Sequence, residues 1–205
     1  DYAVPTERPL PELPTGDLPA AIESIGKEVA ELIDDGDCIQ IGIGKVPAAI
    51  LSCLSDRRDL GLHGGMVTDE VAGLVDAGAL NSSRKSIDTN FLVCGAAMGT
   101  SRVFDWAAER DDVRFRGADY THNVPIIAQI DNFVSINSSL EVDLTGQANA
   151  ETVDGRQISG TGGLVDFVRG ARMAKGGRSV IALSATAAGG TISRIVPTLA
   201  ADAVV

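Results

Sequence analysis

The sequence predicts an α/β domain with a mostly parallel sheet and helices on both faces, and three observations carry that prediction. Apolar runs of strand length alternate with amphipathic stretches at a spacing that fits strand–helix–strand crossovers. Several runs, such as Cys38-Ile39-Gln40-Ile41 and Ser179-Val180-Ile181-Ala182-Leu183, carry no charge, as strands covered on both faces do. The 205 residues hold 23 glycines against 8 prolines, and the glycines gather where a strand-like run gives way to a helix-like one.

Residues 1–19 hold five of the prolines, including Pro9, Pro11 and Pro14. Such a stretch forms neither a helix nor a central strand, so it is expected to drape over a surface as a linker. Asp17 offers an N-cap for a helix over 18–32, with Ile22, Ile25, Val29, Leu32 and Ile33 on one apolar face. The strand 38–41 then runs into Gly42-Ile43-Gly44-Lys45-Val46, and Pro47 sits where a first helical turn tolerates it. A short strand is expected over 59–63, then a helix capped by Thr68 or Asp69. A strand over 89–94, a helix over 101–109 with Trp106 in its core pattern, and an edge strand over 113–116 follow. Residues 119–123 read as a polar connection that leads through Pro125 to 126–129. Two alternating runs, 133–137 and 140–144, read as strands, and a turn at 146–149 follows them. The glycine-rich segment Ser159-Gly160-Thr161-Gly162-Gly163 opens a helix over 163–174, ahead of the strand 179–183. A parallel sheet takes its ligands at the carboxyl ends of its strands, which is where the glycine segments fall.

The length supports one substantial core. A net charge of -11 argues against nucleic acid or an anionic membrane surface as the main partner. Cys38, Cys53 and Cys94 are widely spaced among apolar neighbours and read as small buried side chains rather than ligands. With neither a signal peptide nor an apolar run of membrane-spanning length, the expected location is the cytoplasm. The start at Asp1 and the apolar end Ala203-Val204-Val205 read as the trimming of a larger polypeptide at both ends.

Dense glycines ahead of a helix let backbone N–H groups approach an anion or a developing oxyanion. Both Gly42–Val46 and Ser159–Gly163 have that form, although the first alone is equally a tight turn. Glu141 and Asp143 share one strand face, where Glu141 serves as nucleophile, base or positioning group if that face meets a cleft, and is an ordinary solvated carboxylate if not. His63 and His122 are the two histidines; His63, at a strand end, reads as structural before it reads as a base. No GxSxG elbow and no metal-ligand spacing occurs.

Four segments, 40–49, 137–147, 159–170 and 189–197, resemble in order and content the C-terminal part of the acetyl-CoA hydrolase/transferase family, which includes 4-hydroxybutyrate and acetate CoA-transferases. The resemblance implies a CoA-transferase-like α/β unit over 20–205, preceded by an interdomain linker at 1–19 and lacking its N-terminal half. It implies coenzyme A as substrate or ligand, held by Gly42, Ile43, Gly44, Lys45 and Val46 with Ser159, Gly162 and Gly163 nearby. It implies a short-chain acyl-CoA, a small carboxylate and a second copy of the chain as partners. The family's nucleophilic glutamate falls in His63-Gly64-Gly65-Met66 at Gly65, which has no side chain, and relatives tend to carry lysine at Ala188. Three readings follow: a CoA-thioester transferase or hydrolase in which Glu141, Glu70 or a polarised water replaces the glutamate; a non-catalytic acyl-CoA-binding module; or a nucleotide or sugar-phosphate enzyme on the same scaffold.

Overall fold

In the computed structural model, which describes residues 5–204, four parallel strands form the central sheet in the order Arg178–Ile181, Phe133–Asn137, Cys38–Ile41, Gly61–Leu62. A parallel bridge between His63 and Val93 extends it to Leu92–Cys94, which pairs in parallel with Val113–Phe115 at the edge. The mostly parallel sheet is therefore as the sequence predicts, and the carboxyl ends of its strands lie on one side.

Strand periodicity explains the two cores. Ile39, Ile41, Val134 and Ile136 face a cluster containing Val29, Ile33, Ile50, Leu51, Val71 and Leu74. These come from and around helices α1 (Ala20–Ala30), α2 (Lys45–Ser52) and α3 (Asp69–Asp76). Cys38 and Phe133, offset by one residue, face the other way, onto Ile127, Ile130, Phe167, Ala171 and Ala174. Helix α4 (Ser101–Ala108) adds buried Val103 and Ala107, and Trp106 packs partly buried while its indole N–H donates to Asp76 at 3.0 Å.

Several boundaries differ from the sequence reading, each for a local reason. Helix α1 starts after Pro19 rather than Asp17, because the Pro19 carbonyl accepts the first helical bonds from Ile22 and Glu23, while the Asp17 carbonyl accepts from Lys45 Nζ at 2.9 Å. It stops at Ala30, and Leu32 is exposed. The polar connection at 119–123 contains a one-turn helix, α5 (Ala118–Thr121), and Asn123 then caps α6 (Val124–Ile127) by accepting from the Ile126 N–H. The strand Glu141–Asp143 leaves the main sheet and pairs instead with Ile195–Val196 and Ala148–Asn149. Helix α7 (Leu164–Met173) packs against α6 through Gly170, where a Cβ would lie 2.4 Å from Ile127 Cγ2. Among the described residues no helix is long and apolar enough to cross a membrane.

Candidate functional site

The carboxyl end of Cys38–Ile41 turns outward at Gly42, and the turn to Lys45 separates two clefts that share Gly42 and Ile43. Gly44 has φ 106°, a conformation for which glycine is suited, and it starts α2 with no side-chain cap.

The first cleft, of about 610 Å³, lies between Gly42–Lys45 and the start of α3. Leu13, Pro14 and Thr15 close one side: the Leu13 N–H donates to the Gly99 carbonyl at 2.8 Å, and Thr15 Oγ1 donates to Glu70 Oε1 at 2.7 Å. The proline-rich segment thus reaches the cleft itself. Asp69 is occupied by Thr100, accepting from its N–H at 2.7 Å and its hydroxyl at 2.8 Å. Thr68 Oγ1 is buried without a hydrogen-bond partner. The sequence nominated Thr68 only as a helix cap, a role its side chain does not take.

The second cleft, of about 470 Å³, is where the two glycine segments meet. Gly42 and Ile43 form one wall and Gly163, Leu164 and Phe167 another, with Gly65, Met66 and His122 between them. Its floor is polar for a reason visible in the strands: Gln40, Ser135 and Asn137 occupy the face that Cys38 and Phe133 occupy nearer the strand starts. Ser135 Oγ donates to Gln40 Oε1 at 3.0 Å, Asn137 Nδ2 to the same oxygen at 3.0 Å, and Gln40 Nε2 to Asn137 Oδ1 at 3.2 Å. Sequence reasoning missed Gln40 and Ser135; the available signal was a polar residue at alternate positions of two otherwise apolar buried strands.

Gly65 is held rigidly, its carbonyl accepting from the N–H groups of Gly95 and Ala96, each at 3.0 Å. A Cβ there would meet only His122, with Cε1 at 3.6 Å and Nε2 at 3.7 Å, which is ordinary contact. Gly163 is different: its Cβ would lie 2.3 Å from His122 Cδ2 and 2.7 Å from Phe167 Cε2. Only a glycine lets the His122 ring lie against the start of α7, where its centroid is 4.6 Å from that of Phe167.

The remaining candidates are spread out. Val46 packs against the core, and Gly162, with φ 55°, lines an adjoining open cleft with Asp119, His122 and Asp166. Ser159 is exposed, its hydroxyl donating to the Gly160 carbonyl at 3.1 Å. Glu141 accepts from Asn149 Nδ2 at 2.9 Å in the small sheet and lines neither of the two clefts. Its neighbour Asp143 is held far below the usual carboxylate range, first by the Thr145 hydroxyl, with Gln147 and the Leu199 N–H adding to it.

His63 is fully buried, with Nε2 bonded to the Thr121 carbonyl at 3.1 Å, and burial pushes its pKa down to about 4. It is a neutral structural residue at pH 7. Burial likewise raises the Cys38 and Cys94 thiols to about 12, so both are inert, and Cys53 is half-buried. Arg178 pairs with buried Asp37 and exposed Asp34.

Comparison with known proteins bears on the family and the fold. The family model for the acetyl-CoA hydrolase/transferase C-terminal domain matches residues 99–205. The 4-hydroxybutyrate coenzyme A transferase of Clostridium kluyveri is 42% identical over the whole chain, which covers 48% of that protein. The succinyl-CoA:cyclohexane-1-carboxylate CoA transferase of Geobacter metallireducens is 40% identical over 99% of the chain and 46% of its own length. Among solved structures, RipA from Yersinia pestis superposes with a TM-score of 0.88 at 41% identity, over 94% of this chain and 44% of its own. The 4-hydroxybutyrate CoA-transferase of Porphyromonas gingivalis gives 0.82 at 38% identity, over 94% of this chain and 46% of its own. The chain thus spans about half the length of the relatives it matches. With its fold and these likenesses in agreement, the chain belongs to the acetyl-CoA hydrolase/transferase family.

Proposed function

We propose that this chain is the CoA-binding half of an enzyme acting on a short-chain acyl-CoA thioester, as a transferase or a hydrolase. The single observation that carries the reading is the convergence of Gly42–Ile43 and Gly163 on one cleft with a hydrogen-bonded polar floor. The uncapped starts of α2 and α7 direct backbone N–H groups and the positive ends of two helices toward the turns, where an anionic ligand is favoured. Gly42–Lys45, with Thr68 beyond it, then holds the coenzyme, while Gly162 and Gly163 border the thioester.

Of the carboxylates considered for chemistry, Glu70 borders the coenzyme cleft but is engaged by Thr15. Glu141 takes no step in this reading. The cleft between Gly42–Ile43 and Gly163 also fits a non-catalytic acyl-CoA module, because no carboxylate among the described residues lines it. Titration of the whole polypeptide with CoA and with acetyl-CoA, followed by an assay for free thiol, separates these. Binding with turnover supports the enzyme, and binding without turnover supports the module. Preference for a nucleotide or sugar phosphate over CoA overturns both.

A further inference from the structure

We propose that His122 is the general base of a hydrolytic reaction, activating a water that lodges against Gly65. The inference rests on the acyl-CoA reading above and deepens it by naming the nucleophile and the group that creates it.

The role requires a ring with its proton on Nδ1, and the surroundings of the ring accommodate it. Thr121 Oγ1 donates to the Gly117 carbonyl at 3.3 Å and lies 2.8 Å from His122 Nδ1. With its proton given to Gly117, the same oxygen accepts from an Nδ1–H. That tautomer leaves the lone pair on Nε2, the nitrogen that has no hydrogen-bond partner among the described residues and lies between Gly163 and Gly65, 3.7 Å from where a Gly65 Cβ would stand. Packing on Phe167 and the absent Cβ of Gly163 hold the ring in this orientation. At Gly65 the backbone is fixed by two hydrogen bonds, and no side chain fills the space in front of Nε2.

The chemistry balances without a co-reactant. Nε2 takes a proton from water as the water oxygen bonds to the thioester carbonyl carbon. The carbon–sulfur bond then breaks, and the imidazolium returns the proton to the departing CoA sulfur. The products are one carboxylic acid and one CoA thiol. No acyl group is bonded to the protein at any stage, so no acyl-enzyme is available for a second carboxylate to intercept.

The test uses the whole polypeptide containing this chain, with acetyl-CoA as the probe. His122→Gln and His122→Ala are each expected to lower kcat by about 10²–10⁴-fold, with KM changed by no more than a few-fold and CoA still bound. Added imidazole is expected to restore part of the His122→Ala rate, which a merely structural histidine would not allow, and His122→Gln guards against a folding failure of the alanine variant. Hydroxylamine is expected to trap no acyl-enzyme, and heavy oxygen from water should appear in the released acid. Unchanged kcat in both variants, a trapped acyl-enzyme, or CoA binding without any hydrolysis by the unaltered protein overturns the role of His122 while leaving CoA binding intact. Failure of the unaltered protein to bind CoA at all overturns the acyl-CoA reading instead.

Discussion

The two histidines sit near one another, yet the molecule treats them oppositely. His63 lies fully buried behind the end of its strand, its Nε2 bonded to the Thr121 carbonyl and its pKa lowered to about 4. His122 is one residue beyond Thr121, borders the cleft, and keeps Nε2 free of protein partners among the described residues. Threonine 121 serves both rings, its carbonyl holding one and its hydroxyl orienting the other. The difference teaches that the residue type carries no role by itself. Burial of His63 disfavours its charged form, whereas the half-open setting of His122 leaves its Nε2 accessible from the cleft.

The comparison breaks most readily at His63. A folded-state pKa near 4 against an unfolded value near 6.5 makes the unfolded chain the better proton binder at acid pH. The stability that neutral His63 provides is therefore complete above about pH 6.5 and is lost as pH falls toward 4, by about 3 kcal/mol at about 1.4 kcal/mol per unit. Denaturant melts between pH 7 and pH 4 should show this slope, and His63→Gln should flatten it. An equally steep slope in the variant would place the acid sensitivity elsewhere.

Gly163→Ala sharpens the contrast from the other side. The new methyl would sit 2.3 Å from His122 Cδ2, so the ring must swing away from its place beside Gly65. A displacement of about 1 Å can cost about 10²-fold in rate, and kcat of the whole enzyme is expected to fall on that scale. His63, outside this contact, should keep its low pKa by NMR titration. A rate within a factor of about two of the unaltered enzyme would show that the ring position is not needed.

Thr121→Val has the smallest expected effect. It removes the hydroxyl that orients His122 while leaving the backbone carbonyl that holds His63. Losing one neutral hydrogen bond of about 1 kcal/mol should lower kcat by roughly 5- to 10-fold without moving the acid-stability slope. Loss of stability with kcat unchanged would assign the threonine a packing role alone.

Much of this was legible in the sequence, and unevenly so. The charge-free run Cys38–Ile41 gave a strand with correct ends because a doubly covered strand leaves a local signature, and the glycines before α7 marked its start. The acetyl-CoA hydrolase/transferase resemblance and the mostly parallel α/β fold agree with the family model and the solved relatives. The rest depended on contacts distant in the chain. Nothing near Gln40 announces that Ser135 and Asn137 lie 95 and 97 positions away in hydrogen-bonding range. The start of α1 moved to Pro19 once the Asp17 carbonyl engaged Lys45, and Glu141 left the main sheet because its strand pairs with Ile195–Val196. His122 was visible as one of two histidines, but only the glycine at 163 and the hydroxyl at 121, brought against it by α5 and α7, give its ring a direction.

The most direct test of the account is a crystal structure of the protein with CoA bound. The expected result places the CoA sulfur in the cleft between Gly42–Ile43 and Gly163, facing Gly65 and His122. CoA seated elsewhere on the molecule, with that cleft left to solvent, would contradict it.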